Sequence, residues 1–350
     1  MEVTDLSEVR KDIVSGRWVI VSTDGAKEVV GHLERLRNGR SGREDEAEAV
    51  EYDVKCPYCR GNEHMTLPEI SLIRDEDSPD PDDWIVRVVP SNQPMLRPTG
   101  EPAVRRHHIH QFIAGVGSHE VIVESPRHNV QPYDQPLDKF AAIIATYRDR
   151  MAALETDRRF EYISVMRNHG PGDDPGSTHP CSEIIALPLV PVAAQEELRQ
   201  SKDYFEFYSN CVICDLIKSE LSANTRVLLN NDEFVAITPY AARVPYEIWI
   251  LPKRHASSFT SITDAETKEM ALCLGRVLLA LAEDLGDPSY CYYIHTSPAR
   301  MWDLDYYHWH LELIPRLMGV TGIEYSTGVP VNPMNPEQNA AFLNRKLTVS

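Results

Sequence analysis

The chain of 350 residues is poor in positive charge and in long apolar runs. It has 35 Lys and Arg residues against 53 Asp and Glu residues, for a formal net charge of -18. That balance argues against a nucleic-acid partner, which would need a basic face. The first residues, MEVTDLSEVRKD, contain neither a basic start nor an apolar core, so we expect no secretory signal. The apolar stretches are short and carry prolines, so no membrane span is expected. The predicted location is the cytoplasm, on the ground of the cysteine usage described next.

Cysteine is also scarce, and its placement is informative. Four of the seven cysteines form two CxxC pairs, Cys56-Pro-Tyr-Cys59 and Cys211-Val-Ile-Cys214. This usage fits metal ligation in a reducing compartment better than it fits a disulfide framework. The sequence contains no glycine-rich phosphate loop.

The cysteine pairs belong to an internal repeat. The first pair is followed by His128 and by His179-Pro-Cys181, and the second by His255 and by His308-Trp-His310. The flanking strings also agree, since VIVESPRH corresponds to IWILPKRH and YISVMRN to YYIHTSP. The repeat predicts two domains, residues 1–197 and 198–350.

The hydrophobic pattern gives both halves the same order of elements. Amphipathic helices are predicted at residues 138–155 and 264–285, because apolar residues recur there at the helical period. Strands are predicted at residues 17–22, 84–89, 120–124, 247–251, 291–295 and 307–314. We therefore predict an α+β fold of two tandem repeats, each a mostly antiparallel sheet with one long helix. The charged segment 24–53 is predicted to be a loop, and residues 188–210 a connection.

Each half contains the donor set that zinc prefers, two thiolates and two imidazoles, and four protein ligands form a structural rather than a catalytic site. We expect two Zn²⁺ ions per chain; reduced structural cysteines are the alternative. In the second half, His295, His310 and Glu197 compete for the ligand positions. The predicted ligands are Cys56, Cys59, His128 and His179 in the first half and Cys211, Cys214, His255 and His308 in the second.

The string His179-Pro-Cys181-Ser-Glu183 is predicted to face a cleft. Alternation along a strand places His179, Cys181 and Glu183 on one face, so a metal-bound His179 anchors the strand. The preceding turn, residues 168–178, is rich in glycine and short polar residues whose backbone amides suit phosphate oxygens. A mobile surface loop is the alternative for this turn. The other histidines, among them His119, carry no spacing signal and are assigned to the surface or the core.

Strings along nearly the whole chain resemble the galactose-1-phosphate uridylyltransferase family of the histidine-triad superfamily. They are RKDIVSGRWVIVS, CPYC, ESPRH, HPCSEIIALP, EIWILPKRH and YYHWHLELIPRL. The second CxxC, the HTSP string and the tail GVTGIEYSTGVPVNP look most like the ADP-glucose phosphorylase branch. The resemblance implies two histidine-triad repeats, zinc bound by the matched Cys and His residues, and a dimer whose active site is shared across the interface.

The resemblance also implies a reaction. In the family, a His two residues after the zinc-binding His attacks the α-phosphorus of a nucleotide sugar, and the nucleotidyl-His is then discharged onto a phosphate acceptor. A Gln two residues further on binds the phosphoryl oxygens. Cys181 and Glu183 occupy these two positions here. A thiolate is a capable nucleophile, but its adduct lacks the imidazolium leaving group, and Glu183 adds negative charge beside the phosphate.

In the second repeat, His310 follows the predicted metal ligand His308 by two residues, which is the spacing of the nucleophilic His in the family. The family itself implies another role for that position, as a ligand of a second metal together with the residues matching His295, His308 and Glu197. Both roles, and plain burial as a third, are open for His310.

Further positions match those that bind the nucleotide or the sugar in the family, and the predicted partners are a nucleotide sugar and a sugar phosphate. Three functions stay open. They are nucleotidyl transfer from a nucleoside diphosphate sugar to phosphate or a sugar 1-phosphate, phosphorolysis or hydrolysis by direct attack with Glu183 as general base, and nucleotide binding without transfer. The candidate binding residues are Arg10, Arg17, Asn92, Gln93, Asn168, Ser177 and Glu324.

Overall fold

The computed structural model describes residues 7–22, 26–41, 50–170 and 179–347. None of the helices in these ranges combines the length and apolarity needed to cross a membrane. The strands are β1 (Glu8–Lys11), β2 (Trp18–Val21), β3 (Ser71–Arg74), β4 (Trp84–Pro90), β5 (Val104–His107), β6 (His110–Ile113), β7 (Ser118–Val123), β8 (Tyr162–His169), β9 (Cys181–Leu187), β10 (Val227–Asn230), β11 (Phe234–Ile237), β12 (Ile248–Pro252), β13 (Tyr290–His295), β14 (His310–Pro315) and β15 (Val331–Asn332). The helices are α1 (Ala26–Ser41), α2 (Leu137–Glu155), α3 (Val192–Tyr208), α4 (Val212–Ala223), α5 (Asp264–Leu285), α6 (Gly322–Thr327) and α7 (Pro336–Leu347).

A ten-stranded antiparallel sheet forms the centre of the molecule, in the order β10-β11-β12-β14-β13-β8-β9-β7-β4-β3. The first repeat supplies β3, β4, β7, β9 and β8, and the second supplies β10, β11, β12, β14 and β13 in the corresponding places. The α+β class is thus confirmed. The two antiparallel halves join into one sheet, because β8 and β13 pair with each other, with Met166 opposite Tyr293. This pairing satisfies two strand edges that would otherwise be open.

The two long predicted helices, α2 and α5, cover one face of this sheet. Their apolar stripes form the main core, to which Ile144 and Tyr147 of α2 and Leu274 and Leu278 of α5 contribute fully buried side chains. Helix α5 begins with a capping box between Thr263 and Glu266, which satisfies two backbone N–H groups at its start.

The other face of the sheet is open at its middle. Along β8, β9 and β13 the residues pointing away from α2 and α5 are half-buried, whereas the neighbouring strands β7 and β14 are covered. This pattern defines a partly exposed strip of the sheet, here called the central groove. Its floor includes Ser164, Met166, Asn168, Glu183, Cys291 and Tyr293.

Two segments that were predicted to be irregular are helical. Residues 26–41 of the predicted loop form α1, which buries Val29 and Leu33 in the core beside α5. These two residues are four apart and therefore lie on one helical face, but the charged residues around them hide the period. The predicted connection contains α3, in which Glu197 and Ser201 are buried.

The proposed division at residue 197 falls inside α3. The N-terminal strands also lie with the second repeat, because β2 pairs with β15 in a small sheet with β1. The correspondence between the two repeats therefore holds for the strands of the central sheet but not for the N-terminal strands, which lie with the second repeat.

Candidate functional site

The first predicted set of metal ligands comes together at the start of β9. The ligand atoms of Cys56, Cys59, His128 and His179 all lie within 4.8 Å of one another. His179 Nδ1 is 3.5 Å from Cys56 Sγ and 3.3 Å from His128 Nδ1. Tetrahedral zinc, with bonds of about 2.1 Å to nitrogen and about 2.3 Å to sulfur, separates its ligands by roughly 3.3 to 3.8 Å. The set therefore fits zinc.

Hydrogen bonding and burial prepare His179 for this role. Its Nε2–H donates to the carbonyl oxygen of Ser125 over 2.9 Å, which leaves Nδ1 to face the cysteines. Burial lowers the pKa of His179 to about 4, so the imidazole is neutral, as a metal ligand must be.

The second predicted set has the same arrangement where α4 begins. The ligand atoms of Cys211, Cys214, His255 and His308 lie within 4.8 Å of one another. Cys214 Sγ is 3.5 Å from Nδ1 of His255 and 3.5 Å from Nδ1 of His308. These separations fit tetrahedral zinc as well. His255 is exposed, so this set lies nearer the surface than the first.

The remaining ligand candidates of the second half form a separate group. Glu197, His295, His310 and Glu312 lie together, with the rings of His295 and His310 stacked at 4.7 Å. Burial acts to lower the pKa of His295, but the charges of Glu197 and Glu312 outweigh it and raise that pKa to about 10. His310 is fully buried in this group. Nε2 of His295 and Nε2 of His310 lie 3.4 Å and 3.7 Å from carboxylate oxygens of Glu312, without a hydrogen bond among the described residues, so the four residues also offer a donor set for a metal ion.

Cys181 lies in an apolar environment. Its side chain is buried with Trp84, Val121 and Val123 in a small cluster on the groove side of the sheet. Burial, followed by the charge of Glu124, raises the pKa of the Cys181 thiol well above its usual value. A buried, protonated thiol is a poor nucleophile.

Glu183 shares the face of Cys181, as the alternation predicts, but it reaches the floor of the central groove. Its side chain is 21% exposed. Its Oε1 accepts a hydrogen bond from His119 Nε2–H over 3.1 Å. No sequence signal marked His119, because the contact depends on the pairing of β7 with β9.

Three of the candidate binding residues border the groove or its rim. Asn168 lies on the groove floor, and Asn92 and Gln93 are exposed in the loop after β4. Arg17 is partly exposed and pairs with Glu196 over 3.1 Å.

The other binding candidates are engaged elsewhere or lie outside the described residues. Arg10 is buried and donates to Glu337 over 3.1 Å and to the Tyr240 carbonyl over 3.0 Å, which ties β1 to the second half. Glu324 caps its own helix by accepting the Thr321 backbone N–H over 2.6 Å. Ser177 lies outside the described residues.

Comparison with known proteins finds relatives over almost the whole chain. The model of the galactose-1-phosphate uridyl transferase C-terminal domain matches residues 197–349. ADP-glucose phosphorylase of Arabidopsis thaliana is 33% identical over 340 residues, which is 96% of this chain and 92% of the relative. Galactose-1-phosphate uridylyltransferase of Thermotoga maritima is 28% identical over 233 residues, 64% of this chain and 72% of the relative.

Solved structures agree with these matches. The crystal structure of the Arabidopsis thaliana ADP-glucose phosphorylase with bound ADP-glucose has a TM-score of 0.78 at 32% identity, over 97% of this chain and 98% of that one. A uridylyltransferase structure has a TM-score of 0.74 at 24% identity, over 98% and 99% of the two chains, and shows a shared fold.

Proposed function

The chain belongs to the galactose-1-phosphate uridylyltransferase family, and on that premise we propose that it transfers the nucleotidyl group of a nucleoside diphosphate sugar to phosphate or a sugar 1-phosphate. The observation that carries the proposal is the placement of Glu183. Glu183 lies four residues after His179 of the first Cys/His set, and its carboxylate reaches the central groove. The resemblance implies that the side chain at this position contacts the transferred phosphoryl group. The likeness to an ADP-glucose phosphorylase favours phosphate as the acceptor.

Two zinc ions belong to this proposal as structural groups. Each Cys/His set supplies four protein ligands, so the bound metal would fix the surrounding segments without an open coordination position. His179 would anchor the start of β9 and thereby place Glu183. We include a homodimer, which the family resemblance supports, and a cytoplasmic location, which the cysteine usage supports.

We propose direct attack at the α-phosphorus rather than a covalent intermediate on Cys181. The thiol is enclosed by Trp84 and two valines, whereas Glu183 is open to the groove. An acceptor hydroxyl, such as that of dihydrogen phosphate, passes its proton to Glu183. Its oxygen bonds to the α-phosphorus while the bond from that phosphorus to the bridging oxygen breaks, and the sugar 1-phosphate leaves with the electron pair.

With phosphate as acceptor the products are a nucleoside diphosphate and a sugar 1-phosphate. Asn92, Gln93, Asn168, Arg17 and Ser177 are our candidates for binding the nucleotide sugar. The burial of His310 supports a structural role for that residue rather than nucleophilic attack. The network around Arg10 supports a structural role there as well.

Turnover and intact mass together test the proposal. The pure protein is incubated with ADP-glucose or UDP-glucose, with and without phosphate, while glucose 1-phosphate release and protein mass are followed. We expect phosphate-dependent release and an unchanged protein mass. A nucleotidyl adduct on Cys181 would establish the covalent route instead, and tight binding without release would identify a binding protein.

A further inference from the structure

His119 lies between Glu183 and an exposed loop at the rim of the central groove. The pairing of β7 with β9 sets Val121 opposite Glu183 and His119 opposite Ile185, so His119 and Glu183 share one face of the sheet. The His119 side chain is only 5% exposed. It therefore forms part of the groove wall and not of its solvated surface.

Two hydrogen bonds determine which ring nitrogen of His119 carries the proton. The Met95 backbone N–H donates to Nδ1 over 3.3 Å, so Nδ1 is an acceptor. The proton of a neutral ring must then be on Nε2, which donates to Glu183 Oε1 over 3.1 Å. The ring thus links the two features, with the loop bound at Nδ1 and the Glu183 carboxylate at Nε2.

The backbone of His119 is tied to the start of the same loop. The Ser91 N–H donates to the His119 carbonyl oxygen over 2.9 Å, and the Gln93 N–H donates to Ser91 Oγ over 3.2 Å. His119 thus contacts both ends of the loop 91–95, in which Asn92 and Gln93 are exposed. One residue joins the loop to the carboxylate on the groove floor.

We infer that His119 is a positioning residue for the proposed nucleotidyl transfer, acting on both Glu183 and the loop 91–95. This inference rests on the proposed function. His119 binds Oε1 of Glu183, and Oε2 accepts no hydrogen bond within the described residues. Oε2 is therefore the oxygen that takes the proton of the acceptor hydroxyl. Nδ1 on the other side of the ring accepts the Met95 N–H, so the ring is held from both sides. The bond from Met95 fixes the loop relative to Glu183 through the His119 ring.

Two substitutions separate the two contacts of His119. An Asn side chain keeps an acceptor near the Nδ1 position and cannot reach Glu183, whereas Gln places a donor near the Nε2 position and loses the bond from Met95. We expect His119→Asn to lower kcat for phosphorolysis about 10- to 100-fold with little change in KM. His119→Gln should raise KM for the nucleotide sugar roughly three- to tenfold and lower kcat far less. His110→Asn and His110→Gln, on the exposed β5–β6 ribbon, are the matched controls.

A double-mutant cycle with Glu183→Gln completes the test, with thermal unfolding of each variant as the check on folding. If His119 acts through Glu183, His119→Asn lowers kcat no further in the Glu183→Gln background. Equal losses of kcat in His119→Asn and His119→Gln, or losses that add to that of Glu183→Gln, overturn the inference and leave the proposed function intact.

Absence of turnover by the wild-type protein would refute the proposed function separately. The Kd of ADP-glucose then decides the inference on its own. Weaker binding by His119→Gln than by His119→Asn supports the tie between His119 and the loop, and equal binding overturns it.

Discussion

Replacing Glu183 by Gln removes the proposed base while almost preserving the shape of the side chain. The amide oxygen still accepts the hydrogen bond from His119, so the groove keeps its geometry. A positioned general base contributes about 10²- to 10⁴-fold to a rate. We therefore expect Glu183→Gln to lower kcat by that factor, which corresponds to roughly 3 to 5 kcal/mol in activation free energy.

The same substitution should leave the fold nearly unchanged. Glu183 is partly exposed, and its lost contribution is the ionic part of one hydrogen bond, about 1 kcal/mol or less in unfolding free energy. Binding should become tighter, because the substitution removes a negative charge from the side of the substrate phosphates. Loss of kcat with a lower Kd therefore distinguishes a missing base from a damaged site.

Steady-state release of glucose 1-phosphate and the Kd of the nucleotide sugar are the measurements for this variant. Glu101→Gln, at an exposed position away from the groove, is the control and should behave as wild type. A Glu183→Gln protein with wild-type or higher kcat would refute the base assignment, because the amide then serves as well as the carboxylate.

Three further predictions follow from the burial and charge of particular groups. Cys181→Ala should keep kcat within about tenfold of wild type and lower the unfolding free energy by about 1 to 2 kcal/mol, since the thiol only fills a buried space. A loss of several orders of magnitude in kcat, measured in enzyme assays, would contradict this. Metal analysis should find two zinc ions per chain and one fewer in Cys56→Ala and in Cys211→Ala, with the larger kcat loss in Cys56→Ala because His179 precedes β9. The pKa of His295 is raised from about 6.5 in the unfolded chain to about 10 in the folded protein, so its charged form stabilises the fold fully below pH 6.5 and this stability is lost as the pH rises through about 10. The unfolding free energy, measured by urea titration, should therefore fall by up to about 1.4 kcal/mol per pH unit in that window. The fall should be less steep in His295→Gln.

Local periodicity predicted the elements whose apolar residues recur over a long stretch. Helices α2 and α5 follow from that period, and alternation along β9 places Cys181 and Glu183 on one face. The repeat also predicted the grouping of the Cys and His residues, because each half repeats the same donors in the same order. Helix α1 escaped prediction since its two buried residues, Val29 and Leu33, lie in a strongly charged context.

Contacts between residues far apart in the sequence could not be predicted from local hydrophobic patterns. His119 and Glu183 are 64 residues apart, and their contact depends on the register between β7 and β9. The joining of two repeats into one sheet depends in the same way on the pairing of β8 with β13. His308 and His310 are two residues apart but belong to different groups, His308 beside Cys211 and His310 beside Glu197. Their spacing alone did not indicate this.

The stereochemical course at the α-phosphorus tests direct attack most directly. A nucleotide sugar with one non-bridging oxygen of its α-phosphate replaced by sulfur is supplied as a single diastereomer, with phosphate as acceptor. The product nucleoside thiodiphosphate is then assigned by ³¹P NMR. One in-line displacement inverts the configuration, and this is the result that direct attack with Glu183 as base predicts. Retention of configuration would show two successive displacements through a covalent nucleotidyl-protein and would contradict it.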